Sequence, residues 1–116
     1  MRRLWHILSG NSLISERNLE SIKLSTIALI QFCEDHDAAD KTHELKNILA
    51  AIERDDRLAA TRAFKSVHFG GMGSFADWIP PVKFANETED YVQQVFIALT
   101  VQWYEFASEI LLPRKR

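Results

Sequence analysis

The sequence predicts an all-α fold, a single-domain bundle of four to five helices over residues 1–116 with one long ordered loop before the last helix. Three observations lead to this prediction. The 116 residues are 47% apolar and 26% charged, as in ordinary globular domains, and they are enough to bury one core without metals or disulfides. The four glycines and three prolines leave long stretches free of helix-breaking residues. In those stretches, apolar residues recur every three or four positions, which is the period of a helix.

Two helices are expected in the first third of the chain. A short one around residues 3–8 precedes a polar turn at Gly10, and a long one runs from about Ser15, its expected N-cap, to His36. The apolar face of the long helix consists of Leu19, Ile22, Thr26, Leu29, Ile30 and Cys33. Acidic residues follow this face and are unfavourable at a helix C-terminus, so a turn is expected at residues 36–40.

Two further helices are expected before residue 68. Asp40 is the expected N-cap of the first, and Asp55 or Asp56 that of the second. Their apolar positions are Leu45, Ile48, Leu49 and Ile52 in the first, and Leu58, Ala59, Ala63, Phe64 and Val67 in the second. Because the join between them is short, a single kinked element is the alternative to two helices.

The last helix is expected to begin at Asn86–Glu89 and to run to about Leu112. Asn86 and Glu89 have the spacing of a capping box, with Asn in place of the usual Ser or Thr. The apolar stripe of this helix is Val92, Phe96, Leu99, Trp103, Phe106 and Ile110, widened by Tyr91, Val95 and Ile97. So broad an apolar face belongs at the centre of a core or against a partner, and a homodimer through Trp103, Phe106 and Ile110 is one such arrangement.

The loop from His68 to Ala85 is the one irregular feature of the sequence. Gly70, Gly71 and Gly73 surround Met72, which indicates positive φ angles or a close approach of the backbone to another group. The loop also carries Phe69, Phe75, Trp78, Ile79 and Phe84, and the pair Pro80-Pro81 stiffens its exit. Such a loop is expected to be ordered and to fold over one end of the bundle.

Three interpretations of this loop remain open. It closes the core, or its aromatic residues and Met72 bind a protein, since such residues are enriched at interface cores. In the third interpretation, backbone N–H groups of residues 70–73 bind an anion with help from Ser74 and His68. No GxxxxGK[ST] motif and no preceding strand support a phosphate loop.

The run GGMGSFAD, residues 70–77, resembles the Gly-Gly-Met-Gly-Ser-hydrophobic-x-Asp signature of a family of small helical bacterial proteins of unknown function. The resemblance extends loosely over residues 40–80 and carries over no catalytic residues. Small acidic helical proteins of this kind are similar in type to immunity proteins, which bind and neutralise a cognate toxin.

Charge and cysteine content narrow the classes of partner. A net charge of -2 provides no broad attraction to nucleic acid, and no apolar run is long enough to cross a membrane. The start of the chain has too short an apolar run for a secretory signal, and Cys33, the only cysteine, cannot form an intrachain disulfide. A cytoplasmic protein with neither a nucleic-acid nor a membrane partner is therefore expected.

No catalytic, metal or cofactor site is expected. His36, Asp40 and His43 would share a helix face, but a turn is expected between them and no HExxH or CxxC motif is present. Ser74 lacks the GxSxG frame of a nucleophile elbow. Cys33 is expected to be a small buried hydrophobic residue, because the neighbouring carboxylates disfavour its thiolate.

The leading hypothesis is a non-catalytic protein-binding module, an immunity protein that binds and neutralises a cognate bacterial toxin. Its expected partner-binding residues are Glu34, Asp35, Asp37, Asp40, Asp55, Asp56, Met72, Ser74, Phe75, Asp77 and Trp78, with the loop backbone at Gly70, Gly71 and Gly73. Acidic residues steer a basic toxin, and aromatic residues supply the close contacts. The alternative is a small-ligand or anion-binding module, possibly an enzyme, that uses the GGMGS loop.

Overall fold

The computed structural model describes residues 16–67 and 78–112, and the helices in these ranges confirm the all-α prediction. They are α1 (Glu16–Asp35), α2 (His43–Glu53), α3 (Arg57–Ser66) and α4 (Glu89–Leu111), with a 3-10 helix at Ala39–Thr42 and no strand in the described ranges. The expected helix at residues 3–8, the N-cap Ser15 and the glycine-rich residues 68–77 lie outside the described residues.

Helices α1 and α4 pack antiparallel and form the centre of the bundle. The end of α1 lies beside the start of α4, because Nε2 of His36 is 2.9 Å from Oε2 of Glu87. The second half of α4 is joined to the middle of α1, where Trp103 Nε1 donates a hydrogen bond of 3.1 Å to Thr26 Oγ1. Helices α2 and α3 pack against each other and close the bundle on one side.

The buried core consists largely of the residues expected from the helical periodicity. The largest fully buried side chains are Trp103, Phe96, Ile22, Leu29, Leu45, Ile48 and Val92. Three expected core positions are wrong: Leu58 is 63% exposed, Tyr91 54% and Ile97 48%. Leu58 follows the helix cap by only two residues and lies on the side of α3 away from Phe64. Tyr91 and Ile97 lie outside the stripe that α4 turns towards α1, which is narrower than expected.

Helices α1 and α2 end in the same backbone conformation. Asp37 and Asp55 have positive φ angles of 68° and 58°, in the left-handed region. The next N–H group in each case reaches back to close the turn, from Ala38 to the Cys33 carbonyl and from Asp56 to the Ala51 carbonyl, both at 2.8 Å. This is the Schellman arrangement, with aspartate where glycine is usual. Two of the acidic residues expected to bind a partner therefore also have a structural role.

The helix starts agree only in part with the expected N-caps. Asp56 caps α3, where its carboxylate accepts a hydrogen bond of 3.0 Å from the Ala59 N–H, so the prediction of two separate helices is confirmed. Asp40 as a cap is wrong, because it lies inside the 3-10 helix and α2 begins after Thr42 without a side-chain cap. The capping box at Asn86 is also wrong, because Thr88 caps α4 through the Tyr91 N–H.

Helix α3 supplies the polar groups at the C-terminus of α4, which has no basic residue in its own last turn. Arg57 donates a hydrogen bond of 2.8 Å to the Ile110 carbonyl, and Thr61 Oγ1 donates one of 3.1 Å to the Leu111 carbonyl. These carbonyls have no partner within a helix, so side chains of a neighbouring helix stabilise them.

Candidate functional site

The candidate site lies where the end of α1 meets the chain that leads into α4. We call residues 78–88 the pre-helix segment. At its start the Trp78 ring packs edge-on against Phe96, with centroids 5.1 Å apart, and Lys41 Nζ lies 5.7 Å above the Trp78 ring. Pro80 is buried. The segment then crosses the end of α1 and reaches the Thr88 cap, so both of its ends are fixed to the bundle.

Glu87 joins the pre-helix segment to α1 through both of its carboxylate oxygens. Oε1 accepts hydrogen bonds from the backbone N–H groups of Lys83 and Phe84, at 3.1 and 3.2 Å. Oε2 lies 2.9 Å from His36 Nε2, and the side chains of His36 and Glu87 are only 5% and 8% exposed. We call this arrangement the Glu87 bracket.

Two hydrogen-bond partners and two aromatic rings fix the position of the His36 ring. Its Nδ1 lies 2.9 Å from the Phe32 carbonyl, and the ring stacks on Phe32 at 4.1 Å. Phe84 meets the same ring edge-on at 5.6 Å, although half of the Phe84 side chain faces solvent. The bracket and these ring contacts therefore fix the middle of the pre-helix segment against the end of α1.

Burial and hydrogen bonding act in opposite directions on Glu87. Burial disfavours the charged carboxyl, but hydrogen bonds from the Lys83 N–H, from His36 and from the Phe84 N–H outweigh it. The pKa of Glu87 therefore lies below its ordinary value, and the carboxylate is ionised in the neutral range.

The pre-helix segment presents apolar side chains to solvent. Ile79 is 69% exposed, the highest value among the large apolar residues described, and Val82 and Phe84 are 42% and 49% exposed. Three such residues within six positions make an apolar surface on a segment that is otherwise held in place. Exposed apolar clusters of this kind mark interaction sites more often than isolated exposed residues do.

Four of the expected acidic residues lie beside this segment. We call Glu34, Asp35, Asp37 and Asp40 the acidic corner. Two of them form ion pairs, Glu34 with Lys46 at 2.6 Å and Asp37 with Lys83 at 2.9 Å, and the second pair joins the corner to the pre-helix segment. Asp35 accepts a hydrogen bond of 3.0 Å from Gln31, and Asp40 is exposed in the 3-10 helix.

Asp55 and Asp56 do not belong to this surface. They lie in the turn between α2 and α3, whereas the acidic corner precedes α2, whose eleven residues span about 16 Å. Asp55 holds the Schellman turn and Asp56 caps α3. Of the expected residues in and beside the loop, Trp78 packs on the core, while His68, Gly70, Gly71, Met72, Gly73, Ser74, Phe75 and Asp77 lie outside the described residues.

The face of the last helix that is proposed for a homodimer is mostly buried within the chain itself. Trp103 is 0% exposed and Ile110 is 6% exposed, and both belong to the chain's own core. Phe106 is partly buried against that core. The homodimer stays a prediction, but its contacts would have to come from other side chains, such as the exposed Ile97 and Val101.

The residues considered for metal or nucleophilic chemistry have structural surroundings. His43 is exposed, and its Nε2 lies 3.4 Å from Asn47 Nδ2, whereas His36 is buried. The described residues contain no group of three or more side chains placed to hold a metal ion. Cys33 is buried, as expected. Burial raises the pKa of its thiol to about 12, with Glu34 and Asp40 adding to the rise and Lys41 opposing it.

Two open grooves flank α4. One, of about 180 Å³, lies between α3 and α4, and the other, of about 240 Å³, lies between α1 and α4. Both are smaller than ordinary small-molecule sites, which occupy roughly 300–1,000 Å³. The second is lined by Ser21, Leu24, Ser25, Ala28, Gln102 and Phe106, without a charged group. The anion-binding alternative depends on residues 68–77 and stays a prediction.

Sequence reasoning missed the residues that build this site. His36 and Glu87 are 51 positions apart, and no motif connects them. The sequence pattern places Glu87 inside a capping box and offers His36 only as a helix end or a metal ligand. One signal is present: Ile79 lies just before the two prolines, and Val82 and Phe84 lie between them and α4. All three are outside any helical stripe, so their apolar character indicates a tertiary contact or an exposed surface.

Comparison with protein-family models, with curated proteins and with solved structures found no match to this chain. Among the described helices, none combines the length and the apolar content that crossing a bilayer requires.

Proposed function

We propose that this protein is a non-catalytic binding module of the immunity type, which neutralises a cognate bacterial toxin in the cytoplasm by stoichiometric contact. The surface proposed to bind the partner consists of the pre-helix segment and the acidic corner. The glycine-rich residues 70–77 directly precede the segment in the sequence and carry the resemblance to the bacterial family.

One observation carries the proposal: the most exposed large apolar side chain among the described residues, Ile79, lies on a segment whose backbone is held at both ends and in the middle. A held segment loses little conformational entropy on binding, so its apolar side chains contribute more of their burial to affinity. If these apolar groups lay on a mobile segment, part of the free energy gained by burying them would be offset by the conformational entropy lost when the segment became ordered.

The charges of the corner favour a basic partner. Asp35 and Asp40 form no ion pair with any described lysine or arginine, whereas Glu34 and Asp37 do. Carboxylates at the rim of an apolar surface accelerate the approach of a basic protein and exclude an acidic one. A toxin that acts on nucleic acid or on another anionic substrate presents the basic surface that this corner would meet.

The direct test is co-purification with the product of the adjacent gene, combined with protection of cells that express that product. We expect a stoichiometric complex and protection. Absence of both a complex and protection would overturn the proposal.

The charge contribution has its own test. The double variant Asp35→Asn, Asp40→Asn is expected to slow association with the partner and to reduce its dependence on salt, because exposed charges act mainly on the association rate. The double variant Glu53→Gln, Asp55→Asn is the matched control, since it removes two carboxylates at the far end of α2. Equal effects of the two changes on the association rate would count against the acidic corner.

A further inference from the structure

The pre-helix segment has no regular backbone pairing of its own between residues 78 and 83. Among the described residues, the Lys83 and Phe84 N–H groups donate hydrogen bonds only to Oε1 of Glu87. The other oxygen of the same carboxylate is bound to α1 through His36. One side chain therefore fixes the segment to itself and to the bundle.

We infer that Glu87 is the positioning residue of the exposed surface, and that it holds the surface through a charge-dependent bond to His36. This inference deepens the proposed function and rests on it for its biological meaning. The geometry itself can be tested without a partner.

The hydrogen-bond partners of His36 show why charge matters. Nδ1 faces the Phe32 carbonyl, which can only accept, and Nε2 faces Glu87 Oε2. When the Glu87 carboxylate is ionised, both ring nitrogens must donate, so His36 has to carry a proton on each. The bracket is then an imidazolium–carboxylate pair, because a neutral His36 has only one ring N–H group and would place the lone pair of its other nitrogen against the Phe32 carbonyl or the Glu87 carboxylate.

The charged groups on the elements that meet here are mostly carboxylates. The pre-helix segment contributes Glu87 and Lys83, and the Lys83 ammonium is paired with Asp37. The other charged groups are Asp35 at the end of α1, Asp40 and Lys41 in the 3-10 helix, and Glu89 and Asp90 in the first turn of α4.

The sign of the pH dependence follows from Glu87. The folded structure lowers the pKa of Glu87, so the stabilisation from its charged form is present above the ordinary range of a glutamate and is lost as the pH falls through the lowered value. The bonds from Lys83 and Phe84 to Oε1 depend on this carboxylate and not on the ring protons of His36.

Two variants of Glu87 distinguish the effect of removing the whole side chain from the effect of removing only its charge. Glu87→Ala removes the bracket and is expected to speed amide exchange at Lys83 and Phe84 by about tenfold at neutral pH, since each N–H loses a bond to a charged acceptor. Glu87→Gln keeps the shape but needs a neutral His36, because its amide must donate to Nε2 while its oxygen accepts from the backbone. Because the amide of this variant has no carboxyl group to protonate, the acid loss of protection that follows protonation of Glu87 is expected to be absent.

The experiment is amide exchange measured by NMR for the full chain across pH, with Glu34→Gln as the control, since it removes a carboxylate from an exposed ion pair nearby. The inference predicts faster exchange at Lys83 and Phe84 in Glu87→Ala, no acid loss of protection in Glu87→Gln and wild-type behaviour in Glu34→Gln. Unchanged exchange in Glu87→Ala would overturn the positioning role. If Glu87→Ala fails to fold, Glu87→Gln decides, because a wild-type pH profile in that variant would overturn the charge-dependent bond.

The partner gives a separate readout. Suppose that both Glu87 variants show the expected exchange and yet bind the toxin as the wild type does. The positioning role of Glu87 is then supported, and the proposed partner-binding surface is contradicted. If the exchange is as expected and binding weakens in Glu87→Ala, both are supported.

Discussion

At the scale of single residues, two buried threonines of this protein have opposite surroundings. Thr26 Oγ1 donates to the Ile22 carbonyl at 2.6 Å and accepts from Trp103 Nε1 at 3.1 Å. Thr100 Oγ1 is buried and finds no hydrogen-bond partner among the described residues. A buried hydroxyl without a hydrogen-bond partner lowers the stability of the folded state, whereas a buried hydroxyl that accepts a hydrogen bond from a core tryptophan raises it.

The same substitution is therefore expected to have opposite effects at the two positions. Thr26→Val removes the acceptor of the Trp103 N–H and is expected to lower the free energy of unfolding by about 1–3 kcal/mol. Thr100→Val removes only the unsatisfied hydroxyl and is expected to leave stability unchanged or to raise it by up to about 1 kcal/mol. Urea denaturation of the two variants provides the comparison, and an equal loss in both would contradict this account.

The periodicity of the sequence was sufficient to assign Thr26 to the buried face of α1. It could not identify Trp103 as the partner of Thr26, because the two are 77 positions apart and their contact depends on how α1 and α4 align. The same limit applies to His36 and Glu87. Burial follows from local pattern, but the pairing of polar groups across helices does not.

At the scale of helices, the interiors were predictable from the sequence and the ends were less so. The stripes of α1 and α2 are buried as expected, whereas the caps at Asp40 and Asn86 are wrong. Aspartate and asparagine suit several local structures: an N-cap, a turn or a left-handed helix end. Among the described residues, Asp37 and Asp55 adopt the left-handed helix end, and Asp56 is an N-cap.

The left-handed turn at Asp55 leads to a prediction about backbone strain. A side chain with a Cβ atom costs energy at positive φ, and glycine does not. Asp55→Gly is therefore expected to be more stable than Asp55→Ala by about 1 kcal/mol, measured by thermal unfolding. Both variants lose the same carboxylate, so their difference isolates the backbone, and equal stability would mean that the turn does not require the left-handed conformation.

The end of α4 leads to a second prediction at this scale. Arg57→Ala removes the donor to the Ile110 carbonyl and is expected to lower stability by about 1 kcal/mol and to increase amide exchange over the last turn of α4. Arg62→Ala is the control, because Arg62 is an exposed arginine on the same helix. Similar fraying of α4 in the two variants would contradict the capping role of Arg57.

At the scale of the whole molecule, the fold class was predictable and the site was predictable only in part. Breaker-free stretches and apolar stripes predicted an all-α bundle correctly, because secondary structure and burial are local consequences of composition. The acidic corner and Trp78 were expected and lie together. The Glu87 bracket and the exposure of Ile79 and Val82 depend on how the pre-helix segment crosses the end of α1, and no local pattern encodes that crossing.

The central claim, that the pre-helix segment is the surface that binds a partner, is tested most directly by calorimetric titration of the adjacent gene product with two matched variants. Ile79 and Leu58 are both highly exposed aliphatic residues, one on the segment and one on α3. Burying such a side chain is worth about 1.5–3 kcal/mol, so Ile79→Ser is expected to raise Kd at least tenfold while Leu58→Ser leaves it unchanged. A wild-type Kd for Ile79→Ser, or an equal increase in both variants, would contradict the claim.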